Sequence, residues 1–228
     1  EEDLEFRKAV GKESLGTIVM SDDYKSLFVM NLNDKKVYQY DATGNTATTP
    51  LQVIDVSTNA CGTGTADGDW RPSGLGENDG VLYVGGVCTG ESEATSTADN
   101  RPASMKTVVM AFDETTGVSQ GVVLDQPLST FERPLAGASL SCTASVSGKS
   151  PWLAWSDDLW CNGASQDASP QPMLLKMIVE ANGDLVLNFR DRTADQFGPF
   201  LLARTVGSPN ATSEYVITSG ELNRACKD

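Results

Sequence analysis

Three groups of side chains in this 228-residue sequence have the types and spacing for chemistry, and a fourth group is missing. The densest polar run is Phe189-Arg190-Asp191-Arg192, with Asp195 and Gln196 just beyond it. Asp191 and Asp195 offer hard carboxylate oxygens of the kind that fill a calcium shell. The same carboxylates also suit Arg190 and Arg192, whose planar guanidinium groups bind a carboxylate through paired hydrogen bonds. A second group, Trp152, Trp155 and Trp160, stands between Pro151 and Cys161. Such indoles stack on sugar rings or anchor a protein contact, and they also pack against disulfides. The interval from Trp152 to Trp155 does not alternate, so at least one of the two is expected to face inward. Asp22, Asp23, Asp34, Asp67 and Asp69 fall in turn-like runs, where aspartate hydrogen-bonds its own backbone.

The missing group is histidine, absent from the whole sequence. Its absence removes the commonest general base and every Ser-His-Asp or Cys-His arrangement. A carboxylate pair could still run glycoside hydrolysis. No Asp/Glu pair lies in a recognisable motif, however, and neither a Walker A loop nor a dinucleotide fingerprint occurs. The expectation is a non-enzyme without a cofactor, a structural calcium ion at Asp191 and Asp195 being the one ligand to weigh.

The third group is the cysteines: Cys61, Cys88, Cys142, Cys161 and Cys226. None forms a CxxC pair, and without histidine a Cys/His zinc site has no ligand set. Cys61 lies in a Gly/Thr/Asp-rich loop and Cys88 ends an apolar run, which suits a loop-to-strand disulfide. Cys142 and Cys161 flank the Trp-rich segment and form a second candidate pair. Cys226 is left over, and an odd cysteine suggests a partner outside the chain or a piece of a longer one. Asn210-Ala211-Thr212 is an N-glycosylation sequon in a polar loop. Cysteines and sequon together point to an extracellular or cell-surface setting.

Lys and Arg number 17 against 31 Asp and Glu, a formal charge of −14. Such a chain lacks the basic footprint that a nucleic-acid backbone or an anionic membrane surface requires. No stretch approaches the roughly 20 apolar residues needed to span a bilayer. Glu1 to Phe6 lack the features of a signal peptide, so a secreted protein would have lost its signal already, or would begin here inside a larger precursor.

The elements that position these groups are strands. Apart from a short helix that could form within residues 1–12, brief β-rich runs alternate with Gly, Asn, Asp, Ser and Pro clusters. Leu15–Met20, Ser26–Asn31, Lys36–Asp41 and Leu51–Val56 form one four-strand set. Trp70–Leu75, Val81–Val87, Thr107–Asp113 and Gly121–Asp125 form a second, with a tight Asn78-Asp79-Gly80 turn. Pro172–Val179 and Leu185–Arg190 open a third, for which Glu214–Thr218 and Glu221–Arg224 supply a third strand or else begin a fourth unit. Four sequential strands make one propeller blade. The expected fold is therefore all-β, a β-propeller of four-stranded antiparallel blades in one domain over 1–228. Its units fall at about 13–57, 68–125 and 170–228, with inserts at 89–106 and 126–171. Propellers close with about four to eight blades, so these units would be incomplete without further polypeptide.

Trp70-Arg71-Pro72, Asp79 to Cys88, Pro170 to Leu174, Asn188 to Gln196, and Leu15 to Ile18 with Asn31-Leu32 carry a family likeness. In these patches the chain resembles the propeller-like head of large secreted surface proteins, many of them bacterial, in which SdrD B-like β-sandwich repeats often follow. The resemblance implies a domain about twice this long and no established enzymatic activity. Asn188 and Ala194 stand where that pattern commonly has glycine. The combined expectation is a structural or adhesive module of a cell-surface or filament assembly. Its partners would be other protein chains or the remainder of its own precursor. The alternative is a carbohydrate-binding or carbohydrate-cleaving propeller that uses the Trp-rich insert on glycans.

Overall fold

The computed structural model describes residues 4–44, 48–62, 64–94, 102–130, 133–134, 149–150, 152–157, 166–167, 170–197, 215–216 and 220–227. Cys142, Trp160, Cys161 and Asn210 lie outside them, as do residues 95–101 and much of the 126–171 insert.

The all-β class expected from the sequence is the class observed. After a short helix, α1 (Leu4–Ala9), the strands β1 (Leu15–Met20), β2 (Ser26–Asn31), β3 (Lys36–Asp41) and β4 (Gln52–Asp55) form a four-stranded antiparallel meander. A second meander follows from β5 (Trp70–Asn78), β6 (Val81–Cys88), β7 (Lys106–Asp113) and β8 (Ser119–Pro127). Its first hairpin turns at Asp79 and Gly80, both at positive φ (51° and 77°). That is the backbone a two-residue turn needs to match strand twist. Two short pairs come next: β9 (Arg133–Pro134) with β10 (Lys149–Ser150), and β11 (Gln166–Asp167) with the later β14 (Tyr215–Val216). The third unit comprises β12 (Pro172–Val179), β13 (Leu185–Asp191) and β15 (Glu221–Ala225), with helix α2 (Arg192–Phe197) after β13.

Two details differ from expectation. The strand beside β13 is Glu221–Ala225, whereas Tyr215 and Val216, the described residues of the 214–218 run, pair in parallel with β11. The second and third units are also not separate sheets. They share a seven-stranded sheet of order β15-β13-β12-β5-β6-β7-β8, joined where Lys176 of β12 pairs in parallel with Leu75 of β5. Glycine permits this. A Cβ on Gly74 would lie 3.0 Å from the Leu174 carbonyl, and one on Gly76 would lie 3.3 Å from that of Met177. The Ser73 hydroxyl donates to the Leu174 carbonyl at 2.6 Å, and that of Thr17 donates to the Leu175 carbonyl. The leading strands of all three units thus meet along β5.

Apolar side chains fill the spaces on both sides of the second unit. Phe28, Met30, Val37 and Ile54 from the first unit pack against Leu75, Leu82, Val84 and Phe112. On the other side Val87 and Val109 meet Leu174, Met177, Leu187 and Phe189 from the third. Gly86 in β6 sits where a Cβ would come within 2.4 Å of the Arg71 carbonyl oxygen and 2.7 Å of Pro72 Cα. Backbone atoms cannot rotate away as a side chain can. Gly86→Ala should therefore cost about 1–3 kcal/mol through overpacking, read as a fall in the urea midpoint at unchanged slope.

Candidate functional site

Of the side chains singled out near the end of β13, Asp191, Arg192 and Gln196 join one buried network around the Arg192 guanidinium, while Arg190 and Asp195 pair with each other outside it. Arg192 opens α2 and is 0% exposed. Its Nε donates to the Val10 carbonyl at 2.8 Å. Nη1 donates to the Ser156 carbonyl at 3.0 Å and to Gln171 Oε1 at 2.8 Å. Nη2 donates to the Arg7 carbonyl at 3.3 Å and to Asp157 Oδ1 at 2.7 Å. The plane of Trp155 covers it, with Cζ 4.5 Å from the ring centroid. Burial pulls the Arg192 pKa below its ordinary value, and Asp157 opposes that shift. A buried cation persists only with such a full set of acceptors.

Around Arg192 the polar network closes on itself. Gln171 Oε1 also accepts from the Ser156 amide, and its Nε2 donates to Thr193 Oγ1 and Gln196 Oε1. Gln196 Nε2 donates to the Arg7 and Ser156 carbonyls. Asp191 precedes α2 and accepts from the Thr193 amide as a helix cap, and from the Gln171 amide, each at 3.0 Å. Asp195 pairs with Arg190. Lys12 reaches both Asp157, at 3.2 Å, and Glu91, and Arg71 approaches Glu91 at 3.6 Å. The network thus ties the chain before β1 to the Trp-containing segment, β12, β13 and α2.

The two candidate calcium ligands therefore have different protein donors. Among the described residues no group of three or more acidic or cysteine side chains is arranged to hold a metal. Trp152 and Trp155 are 3% and 0% exposed. Trp152 lies beside Phe189 with ring centroids 6.2 Å apart and donates to Glu221; Trp155 donates to the Pro172 carbonyl at 2.7 Å. With both indoles in the core, neither offers an open face on which a sugar ring could stack.

Cys61 and Cys88 are disulfide-bonded, Cα to Cα 5.6 Å, and are buried with Trp70 and Val108. Cys226 is exposed and free. Beside the bridge, buried Asp69 accepts from the Ser92 amide at 2.9 Å and hydroxyl at 2.6 Å, so this turn aspartate is engaged by another loop.

A second polar group was not legible in advance. Where the turns of the first two units meet, Asp22 accepts from the Asp79 amide at 3.1 Å and Glu77 from the Gly80 amide at 3.2 Å. The Glu114 amide donates to the Gly80 carbonyl at 3.1 Å. Burial, with the charges of Asp22 and Glu114 adding to it, pushes the Glu77 carboxyl up to about 7. Glu114 is raised too, by burial first and then by Asp23. An apolar cleft of about 810 Å³ opens elsewhere, between α1, β1 and β12, lined by Phe6, Val10, Leu15, Met173 and Leu175 with Lys176 and Asp195. No helix among the described residues is long and apolar enough to cross a membrane.

Comparison with known proteins gives one measure of kinship. The chain is 28% identical over 189 residues to Colossin-C of Dictyostelium discoideum, an alignment covering 82% of this chain and 16% of that protein. The chain thus spans about one sixth of the curated relative it matches. No family model matches the chain, and no solved structure does.

Two outcomes follow from this geometry. Arg192→Met keeps the aliphatic bulk but removes the guanidinium's five hydrogen bonds to Val10, Arg7, Ser156, Gln171 and Asp157, and should cost about 3–5 kcal/mol in chemical denaturation. Arg192→Lys should recover little, since an ammonium cannot span the fork. For Glu77, a raised folded-state pKa means that the native form holds its proton while the unfolded form has lost it. Stability should therefore fall as pH rises from the ordinary 4.5 towards about 7. Thermal melts across that window should show the decline, and Glu77→Gln should flatten it.

Proposed function

We propose that this chain is a non-catalytic structural or adhesive module of an extracellular surface assembly. In this reading its three stacked units are blades of a larger β-propeller. The observation that carries the proposal is the enclosed Cys61–Cys88 bridge inside an all-β stack. Such bridges persist in oxidising compartments. The surplus of acidic residues and the likeness to a segment of a much longer protein support it. So does the way each unit begins with a strand that meets β5, since propeller blades present their first strands to a common axis. The Arg192 network supports the non-catalytic part. Its guanidinium is saturated by protein acceptors and Asp157 and Glu91 are engaged by cations, an arrangement that fixes segments in place.

The test uses the protein from its native source. Peptide mapping without reductant should recover Cys61 joined to Cys88, and a membrane-impermeant label should reach the protein on intact cells. Free thiols at both positions, together with labelling only after lysis, would reject the extracellular assignment.

A further inference from the structure

The first sheet is apolar on both faces, and among the described residues only one of them is covered. Phe28, Met30, Val37 and Ile54 face the second unit. The alternate positions form cross-strand rows on the opposite face. Ile18, Val29, Tyr38 and Val53 are in register across β1 to β4, and Met20, Leu27 and Tyr40 make the next row. Ile18 is 50% exposed, Met20 41% and Val53 45%, with Leu27, Val29, Tyr38 and Tyr40 half-buried. An antiparallel sheet with one wet side ordinarily alternates apolar and polar residues. These strands do not: Ser26–Asn31 carries Leu27-Phe28-Val29-Met30 at its centre.

The molecule itself shows what this pattern is for. The second unit is also apolar on both faces, and it lies between the first and third units, Leu82 and Val84 packing one way, Val87 and Val109 the other. The outer face at the far end of the stack is of a different kind. There Ile178, Val186 and Leu222 are interleaved with Lys176, Asn188, Arg190 and Arg224, a mixed face without the continuous apolar rows of the first sheet.

We infer that the outer face of the β1–β4 sheet, centred on Ile18, Val29, Tyr38 and Val53, is the seat of a further β-sheet supplied by polypeptide of the same protein outside residues 1–228. The relative's length is consistent with such a source, since the matched region is only 16% of that protein. A sheet fits because an extended, twisted apolar face of two full rows is complementary to another sheet at about 10 Å spacing. The inference rests on the module reading above and names the surface at which that module continues.

Hydroxyl-radical footprinting of the native full-length protein tests it, with the exposed turn residue Tyr24 as internal reference. Met20, Tyr38 and Tyr40 should react several-fold more slowly there than in the 228-residue chain, relative to Tyr24, at every protein concentration. Equal labelling in the two proteins would show an open face and overturn the inference. Protection of the 228-residue chain that disappears on dilution would assign the face to a second copy and overturn it equally. Either result, combined with labelling on intact cells, would leave the extracellular assignment standing and discard the covering sheet together with the larger propeller.

Discussion

Strand β5 has backbone close by on both sides, and the rest of the architecture follows from that contact. Gly74 and Gly76 leave no side chain between β5 and β12, so Ser73 can reach the Leu174 carbonyl and Leu75 can pair with Lys176. On the opposite side Gly16 of β1 comes so near that a Cβ there would lie 2.9 Å from the Ser73 carbonyl. With the leading strands held this tightly, the sheets fan outward, and the wedges between them must be filled by large side chains. Phe28 and Phe112 fill one wedge and Phe189 and Met177 the other. Packing at interior density makes that division of labour obligatory: small at the meeting line, large away from it.

Much of this was legible in the sequence. Runs such as Leu15–Met20 and Lys36–Asp41 are strands at nearly the expected bounds, because β-branched and aromatic residues between strong turn signals leave few alternatives. The joining of two units into one sheet was not legible, since a single parallel pair at Leu75 and Lys176 leaves no local mark beyond glycine spacing. The strand beside β13 was similarly ambiguous. Tyr215–Val216 and Glu221–Ala225 have comparable propensity, and tertiary pairing chose between them.

The polar lock was half legible. The Phe189-to-Gln196 run announced charge density, and Arg190 does meet Asp195. Arg192 instead pairs with Asp157, thirty-five positions away, and with carbonyls that have no side-chain signature. Gln171, central to the network, gave one hint: a lone amide between Pro170 and Pro172 at the head of an apolar strand. The Glu77 and Glu114 junction gave none, because the two carboxylates lie some forty positions apart in different hairpins of the second unit and meet only when β5, β6 and β7 pair.

Arg192 holds the leading segment by the main-chain oxygens of Arg7 and Val10. A grip on carbonyls is indifferent to the side chains that accompany them. The residues of α1 can therefore diverge freely between kin while the tie endures, and no pair of alignment columns need vary together to betray it. Distant relatives would then be traced better by an arginine after the last aspartate of a strand, facing a tryptophan, than by any likeness in the segment it holds.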